Sequence, residues 1–146
     1  MGQAADRPQV LVIEDEDGIA LALDIVLGRE GYRRDRLASG AGAVDAIRSQ
    51  HPDLVILDVM LPEVSGYDIC RQVRQDPALS DVKILMMTAR GTGVEQSRGL
   101  ALGADGFLAK PFALSDLRSE LGRLIGPQAA AARAGGRREG EGKAGR

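Results

Sequence analysis

Short runs of apolar residues recur along the chain, and longer segments that mix apolar and polar residues separate them. An unbroken apolar run of four residues is typical of a strand that is covered on both faces, as in a parallel sheet. A more polar stretch, RDRLA, predicts a less-covered edge strand. The predicted strands lie at residues 10–13, 34–38, 54–57, 84–87 and 106–109.

The segments that follow these runs repeat apolar residues at the spacing of an amphipathic helix. The last is the clearest, because Leu117, Leu121 and Leu124 follow that spacing. Strands that each precede a helix predict a parallel sheet with helices on both faces, and right-handed crossovers leave few topologies. In such folds the ligand site lies beyond the carboxyl ends of the strands. The other helical positions are Ile19, Leu23, Val26 and Leu27, then Val44 and Ile47, then Ile69 and Val73.

The residues at the ends of the predicted strands carry unusual chemistry. The first strand runs into EDED, which begins with Glu14 and Asp15, and the third strand ends at Asp58. The fourth strand ends at Thr88 and the fifth at Lys110. Because the carboxyl ends of parallel strands share one edge of the sheet, we expect these side chains to converge. The expected site joins several carboxylates to a hydroxyl and an ammonium.

A cluster of carboxylates at this edge predicts a bound divalent cation, because the cation relieves the repulsion between like charges. Oxygen ligands favour Mg²⁺ or Mn²⁺ over zinc, and Mg²⁺ with open positions recruits phosphate oxygens. The Lys110 ammonium suits a phosphate or Asp58 itself, and Thr88 can donate a hydrogen bond to an oxygen that arrives on Asp58. Together these groups predict a carboxylate nucleophile that accepts a phosphoryl group.

Each of these residues also has an ordinary structural explanation. Glu16 and Asp17 are best explained as the acidic first turn of a helix, and Asp58 alone is compatible with a turn. His51 is expected to be a surface histidine, and Cys70 a core residue rather than a reactive thiol. The agreement of four strand ends favours the functional explanation for the set.

Composition and charge narrow the class of protein. The chain has 146 residues, of which 44% are hydrophobic and 27% charged, as is ordinary for one globular domain. A formal charge of -2 argues against a general nucleic-acid binder, although not against a local basic patch. One cysteine, no signal peptide and no apolar stretch of the ~20 residues that cross a membrane predict a cytoplasmic protein. The Ala-, Gly- and Arg-rich residues 127–146 are expected to be a disordered tail after a domain at 8–126.

The ordered set of motifs resembles the receiver domain of two-component response regulators, the flavodoxin-like family that includes the chemotaxis regulator. The spacing from Asp58 to Thr88 and to Lys110 matches the family's spacing. The resemblance covers roughly residues 8–126, and it implies a doubly wound five-stranded parallel sheet in the order 2-1-3-4-5 with five helices. The motifs are ED at 14–15, LDVMLPEVSG at 57–66, MTA at 87–89 and KPF at 110–112.

The resemblance also implies a role for the residues of the expected site. Asp58 would be the phosphoacceptor, and Lys110 would pair with Asp58 or with its phosphate. Asp15 and Asp58 would bind Mg²⁺ through their side chains, with Mn²⁺ as a possible substitute. Met60 would contribute its backbone carbonyl, and Glu14 would reach the metal through water.

The same resemblance implies how the protein would signal. Thr88 would move toward the phosphoryl group and Phe107 would follow it inward as an aromatic switch, so that phosphorylation shifts a population between two packings. A sensor histidine kinase or a phosphotransfer protein would supply the phosphoryl group, and a downstream protein or a phosphorelay would receive the signal. Many relatives dimerise through the face at residues 91–125, which makes a homodimer an expectation. Such a regulator is not an enzyme, since it assists only its own phosphorylation and dephosphorylation.

Three alternatives differ in class or in architecture. An Mg²⁺-dependent phosphohydrolase of the dehalogenase type needs an acid two residues after its nucleophile, where this chain has Met60. A flavodoxin-like nucleotide carrier needs glycines and hydroxyls where this chain has EDEDG. No helix-turn-helix, cyclase or kinase pattern follows Ile125. We therefore expect a stand-alone receiver without a DNA-binding domain, and the alternative is a receiver module of a larger regulator or hybrid kinase.

Overall fold

Five strands and five α-helices form the protein in a computed structural model, which describes residues 7–89 and 93–126. The predicted tail at 127–146 lies outside these residues, as do positions 91 and 92 of the predicted dimer face. The strands are β1 Gln9–Ile13, β2 Arg33–Leu37, β3 Leu54–Asp58, β4 Lys83–Thr88 and β5 Gly106–Ala109. The helices are α1 Asp17–Arg29, α2 Ala43–Gln50, α3 Gly66–Arg74, α4 Gly93–Leu102 and α5 Leu114–Ile125, with a short 3₁₀ helix at Pro77–Leu79.

The strands pair in the order β2-β1-β3-β4-β5, and every neighbouring pair is parallel. This confirms the predicted flavodoxin-like sheet in the order 2-1-3-4-5. Strand order reverses between β1 and β3, and open α/β sheets place their ligands at the carboxyl side of such a reversal. No helix within the two described ranges is long and apolar enough to span a membrane.

Successive residues of the central strands face opposite layers of helices. Both layers are packed with buried aliphatic side chains, which explains why these strands read as unbroken apolar runs. On one face lie Leu11, Ile13, Val55 and Leu57, packed with Ile47 of α2 and with Ile69 and Val73 of α3. On the other face lie Val10, Val12, Leu54 and Ile56, packed with Leu23 and Leu27 of α1 and with Leu117 and Leu121 of α5.

The edge strand β2 is built from charged residues. Its sequence is RRDRL, its first three residues are exposed, and it begins one residue before the predicted strand at 34–38. Charged side chains along an edge discourage pairing with a strand of another chain. The strand is paired with β1 along its whole length, as far as Leu37 opposite Ile13.

Candidate functional site

The strand-end residues meet at the carboxyl edge of the sheet. Glu14 directly follows β1, Asp58 is the last residue of β3, Thr88 is the last residue of β4, and Lys110 directly follows β5. The Lys110 Nζ atom lies 3.0 Å from Asp58 Oδ2 and 3.1 Å from Glu14 Oε1. The acid that ends the third apolar run is therefore not an isolated buried charge.

Asp58 is held by the loop that follows it as well as by Lys110. The residue is only 2% exposed, and its Oδ1 accepts a hydrogen bond of 3.0 Å from the backbone N–H of Met60. The loop packs so closely on Gly66 that a Cβ there would overlap the Asp58 carbonyl oxygen. The Ser65 hydroxyl then caps α3 by accepting from backbone N–H groups of its first turn. These contacts leave the Asp58 carboxylate in one orientation, toward the other strand ends.

Glu14 is a fully buried acid at the end of β1. Its Oε2 accepts a hydrogen bond of 3.0 Å from the Glu16 N–H. Its Oε1 accepts none from the described residues, because the Lys110 ammonium lies near it but outside hydrogen-bonding angles. Burial raises the pKa of Glu14 above its usual value, the Asp58 charge adds to the rise, and the Glu16 and Lys110 contacts oppose it. Glu14 thus has one buried oxygen with capacity for a further ligand.

Lys110 is the cation that faces these acids. Burial alone would lower the pKa of its ammonium, but the hydrogen bond that it donates to Asp58 and the negative charges of Asp58 and Glu14 outweigh burial and raise the pKa. Its backbone N–H donates to the Thr88 carbonyl at 2.9 Å, which continues the pairing of β4 with β5 to the site. The peptide bond between Lys110 and Pro111 is cis. Lys110 is therefore a fixed positive charge shared by two carboxylates.

Three carboxylates are close enough to hold one metal ion. Glu14, Asp15 and Asp58 each offer an oxygen, and these oxygens lie within 4.8 Å of one another. One lysine cannot balance three acids, and oxygen donors alone suit Mg²⁺ or Mn²⁺. The buried Glu14 Oε1 without a hydrogen-bond donor supplies a further reason to expect a cation. The donor set therefore fits Mg²⁺.

A cleft of about 630 Å³ opens over these acids. Asp15, Asp58 and Lys110 line its polar end, and Met60 lines it with a side chain that is 68% exposed. The rest of the wall is largely apolar and comes from α1 and from the β5–α5 loop, including Phe112. Asp58 is thus accessible to a molecule in the cleft although the residue is almost fully buried.

Thr88 and Phe107 occupy different layers of the site. Thr88 is buried at the end of β4, beside Ala109 of β5. Phe107 lies two residues earlier in β5, where its half-buried ring packs on the core and against Gly99 of α4. The structure therefore brings Thr88 to the strand ends with the acids, and it holds Phe107 between the sheet and α4.

Two residues with expected ordinary roles lie away from the site. His51 is exposed, and its Nε2 lies 2.8 Å from Asp81 Oδ1. Cys70 is a free cysteine in the core. Neither residue lines the cleft over the acids.

Arg36 of β2 is a contact of the site that the sequence reasoning missed. Its guanidinium donates to the Glu14 carbonyl oxygen from Nε at 3.0 Å and from Nη2 at 2.7 Å. The only signal in the sequence was the unusual basic character of RDRLA. The basic character does not predict which arginine side chain contacts the end of β1, because that contact depends on the register between β2 and β1.

Comparisons with known proteins place the chain among signalling proteins. The family model for the response regulator receiver domain matches residues 10–122. The phosphate regulon transcriptional regulatory protein PhoB of Rhizobium meliloti is 40% identical over 118 residues, 81% of this chain and 52% of PhoB. The DNA-binding response regulator MtrA of Mycolicibacterium smegmatis is 41% identical over 111 residues, 76% of this chain and 47% of MtrA. The chain therefore spans about half the length of these relatives.

A solved structure with a metal in its active site is also similar. It is the receiver domain of the sensor histidine kinase PA1611 from Pseudomonas aeruginosa, with magnesium coordinated in the active site cleft. The two chains are 30% identical with a TM-score of 0.75, and the match covers 82% of this chain and 98% of the other.

The expectation of a protein without a DNA-binding domain is contradicted by these relatives. MtrA is a DNA-binding response regulator and PhoB a transcriptional regulatory protein, and both continue well beyond the matched part. A receiver buries its own core, so its sequence reads the same whether or not an output domain follows. The lack of an output pattern after Ile125 was therefore no basis for predicting a stand-alone regulator.

Proposed function

Because the chain belongs to the response regulator receiver domain family, we propose that it is a phosphorylation-dependent signalling switch with Asp58 as the phosphoacceptor. The observation that carries the proposal is the pairing of the Asp58 carboxylate with Lys110 at 3.0 Å, at the floor of an accessible cleft. A sensor histidine kinase or a phosphotransfer protein supplies the phosphoryl group. The signal then passes by partner binding or by phosphorelay.

The chemistry assigned to Asp58 is a nucleophilic displacement at phosphorus. A carboxylate oxygen of Asp58 forms the new P–O bond while the P–N bond of a donor phosphohistidine breaks, and the imidazole that leaves takes up a proton from water. The Lys110 ammonium, already fixed at the carboxylate, neutralises charge that develops on the phosphoryl oxygens. Thr88 donates a hydrogen bond to one of those oxygens. The protein thus assists its own phosphorylation and dephosphorylation without acting on a separate substrate.

A Mg²⁺ ion is part of the proposed site. Asp15 and Asp58 would hold it through carboxylate oxygens, Met60 through its backbone carbonyl and Glu14 through water. The ion supplies charge neutralisation for the incoming phosphoryl group. Support comes from the three convergent carboxylates and from the buried oxygen of Glu14 that lacks a hydrogen-bond donor.

Thr88 and Phe107 form the proposed switch. Movement of Thr88 toward a phosphoryl group vacates space near the end of β4, and Phe107 turns further inward to fill it. The half-buried ring of Phe107 supports this role, because such a ring can shift without leaving a fully packed core position. The switch belongs to a single domain at residues 8–126. The proposed location of the protein is the cytoplasm, where ATP-dependent kinases supply phosphoryl groups.

The test is the intact mass of the protein after incubation with acetyl phosphate and Mg²⁺. We expect one phosphoryl adduct on the wild type, little with excess EDTA, and none on Asp58→Asn, whose amide cannot form an acyl phosphate. Asp68→Asn is the matched control, because Asp68 is an exposed residue of α3 paired only with Arg71 among the described residues, and it should label normally. An undiminished adduct on Asp58→Asn would refute the assignment.

A further inference from the structure

The Arg36 side chain joins the edge strand to the loop that carries two of the three clustered acids. Its Nε and Nη2 atoms both donate to the Glu14 carbonyl oxygen, at 3.0 and 2.7 Å. Its Nη1 atom lies 2.9 Å from Asp17 Oδ1, at the first residue of α1. One guanidinium therefore contacts the chain on both sides of Asp15, at Glu14 and at Asp17.

The loop between β1 and α1 contains only residues 14–16. The Glu14 N–H donates to the Leu37 carbonyl at 3.1 Å, and the Glu14 side chain accepts from the Glu16 N–H. The Glu14 N–H is thus bonded to the backbone of β2, whereas the Glu14 carbonyl is bonded to β2 through the Arg36 side chain. Without Arg36 that carbonyl would depend on water.

Asp15 is the exposed member of the cluster. Among the described residues, no side-chain hydrogen bond or ion pair fixes its carboxylate. Its direction is therefore set by the backbone that carries it. The Glu14 carbonyl and the Asp15 N–H belong to one planar peptide, so a donor that fixes the carbonyl also fixes the plane from which Asp15 projects.

We propose that Arg36 is a positioning residue for the divalent-cation site, which fixes the peptide between Glu14 and Asp15 and so directs the Asp15 carboxylate toward Asp58. This inference rests on the proposed function, in which these acids hold Mg²⁺. Residues that orient metal ligands commonly change metal affinity by about 10- to 100-fold when they are removed.

A role of Arg36 through its charge alone predicts the opposite change in Mg²⁺ affinity. Removal of a positive charge beside three acids should strengthen the binding of a cation if Arg36 acted only through its charge. A purely structural role in holding β2 should leave the affinity for Mg²⁺ unchanged. Weaker binding after the loss of Arg36 follows only if the arginine positions a ligand.

The test compares Mg²⁺ affinity in the wild type, Arg36→Met, Arg36→Lys and Arg34→Met, by calorimetric titration of the unphosphorylated proteins at fixed ionic strength. Arg34→Met is the matched control, because Arg34 lies on the same strand and pairs with Asp24 of α1 at 2.9 Å. We expect Arg36→Met to weaken Mg²⁺ binding about ten-fold and Arg34→Met to leave it unchanged. Arg36→Lys keeps the positive charge but cannot bond to the Glu14 carbonyl and to Asp17 at the same time. We therefore expect a smaller loss of Mg²⁺ affinity than in Arg36→Met. If Arg36→Met does not fold, the affinity of Arg36→Lys tests the proposal.

A second readout separates positioning from damage to the site. With acetyl phosphate, the Mg²⁺ concentration for half-maximal labelling should rise about ten-fold in Arg36→Met, while the rate at saturating Mg²⁺ stays within about two-fold of the wild type. Unchanged or tighter Mg²⁺ binding in both Arg36 variants would overturn the proposal, as would a wild type that binds no Mg²⁺. A wild type that binds Mg²⁺ but accepts no phosphoryl group would refute the proposed function alone, and the measured affinities would still decide the role of Arg36.

Discussion

At the scale of single residues, the site stabilises two buried acids with one partly buried lysine cation. Asp58 and Glu14 would each cost several kcal/mol as unpaired buried ions, and both lie against the Lys110 ammonium. The residue types could be predicted, because each acid or base stands where an apolar run ends. The burial of Glu14 and the hydrogen bonds from Arg36 to the Glu14 carbonyl could not be predicted, since both depend on contacts between segments that are distant in the sequence.

Cys70 provides a prediction at the same scale. Its side chain is buried, its Sγ lies 3.5 Å from the Leu102 carbonyl oxygen, and burial raises the pKa of the thiol to about 11. Because the thiolate is the reactive form, alkylation of the folded protein at mildly alkaline pH should be at least about a hundred-fold slower than alkylation of the unfolded protein. A time course with iodoacetamide, with and without denaturant, measures this ratio, and equal rates would contradict the packing described for α3.

At the scale of elements, α4 shows where the sequence pattern fails. Apolar spacing predicted the positions of α1, α2, α3 and α5, whereas α4 was expected only because every other strand precedes a helix. Gly99 is the one buried residue of α4, and the ring of Phe107 from β5 fills the space beside it. A helix whose buried position is a glycine has no apolar stripe to detect.

The contact between Gly99 and Phe107 predicts the effect of one added methyl group. Alanine favours a helix over glycine by ~1 kcal/mol, but a Cβ at position 99 would overlap the Phe107 ring. Overpacking costs about 1–3 kcal/mol, so Gly99→Ala should lower the free energy of unfolding or force the ring outward. Gly122→Ala in α5 is the matched control, because a Cβ there meets nothing within 4 Å.

The control substitution should stabilise the protein by ~0.5–1 kcal/mol. Denaturant titrations of both variants and the wild type provide the comparison. An equal gain in stability from Gly99→Ala and Gly122→Ala would show that the Phe107 ring does not lie against Gly99.

At the scale of the whole molecule, the carboxyl ends and the amino ends of the strands have different roles. The carboxyl edge gathers the acids, and the opposite edge carries an ion pair that ties α3 to the β4 and β5 strands. Arg74 donates to the carbonyls of Val82 and Gly103 and to Asp105 Oδ2 at 2.8 Å, and Asp105 also accepts from the Ile84 N–H. Both partners of the ion pair are mostly buried.

This separation predicts a substitution that reduces stability without changing function. Arg74→Met should lower the free energy of unfolding by about 2–3 kcal/mol, because several charge-assisted hydrogen bonds to buried acceptors are lost. Labelling by acetyl phosphate under native conditions should be unchanged. Arg71→Met removes an exposed pair with Asp68 on the same helix and should cost less than about 1 kcal/mol. Equal losses of stability in the two variants, or a loss of labelling in Arg74→Met, would contradict the division of tasks between the two edges.

The whole fold was predictable to the extent that the alternation of strands and helices fixes a parallel sheet. Its strand order came from the resemblance to receiver domains, since right-handed crossovers alone leave several orders open. The expected lack of a DNA-binding domain was wrong, because the similar regulator MtrA is a DNA-binding response regulator. A domain with its own core carries no mark of its neighbours in its sequence.

The central claim is that Asp58 itself receives the phosphoryl group, and chemical mapping tests it most directly. Borohydride reduces an acyl phosphate to an alcohol, so phosphorylated protein treated in this way and digested should contain homoserine in place of the acceptor aspartate. We predict homoserine at position 58 alone, only after incubation with a phosphoryl donor and Mg²⁺. Homoserine at Asp15, or a stable phosphoryl group at His51 with Asp58 unmodified, would contradict the claim.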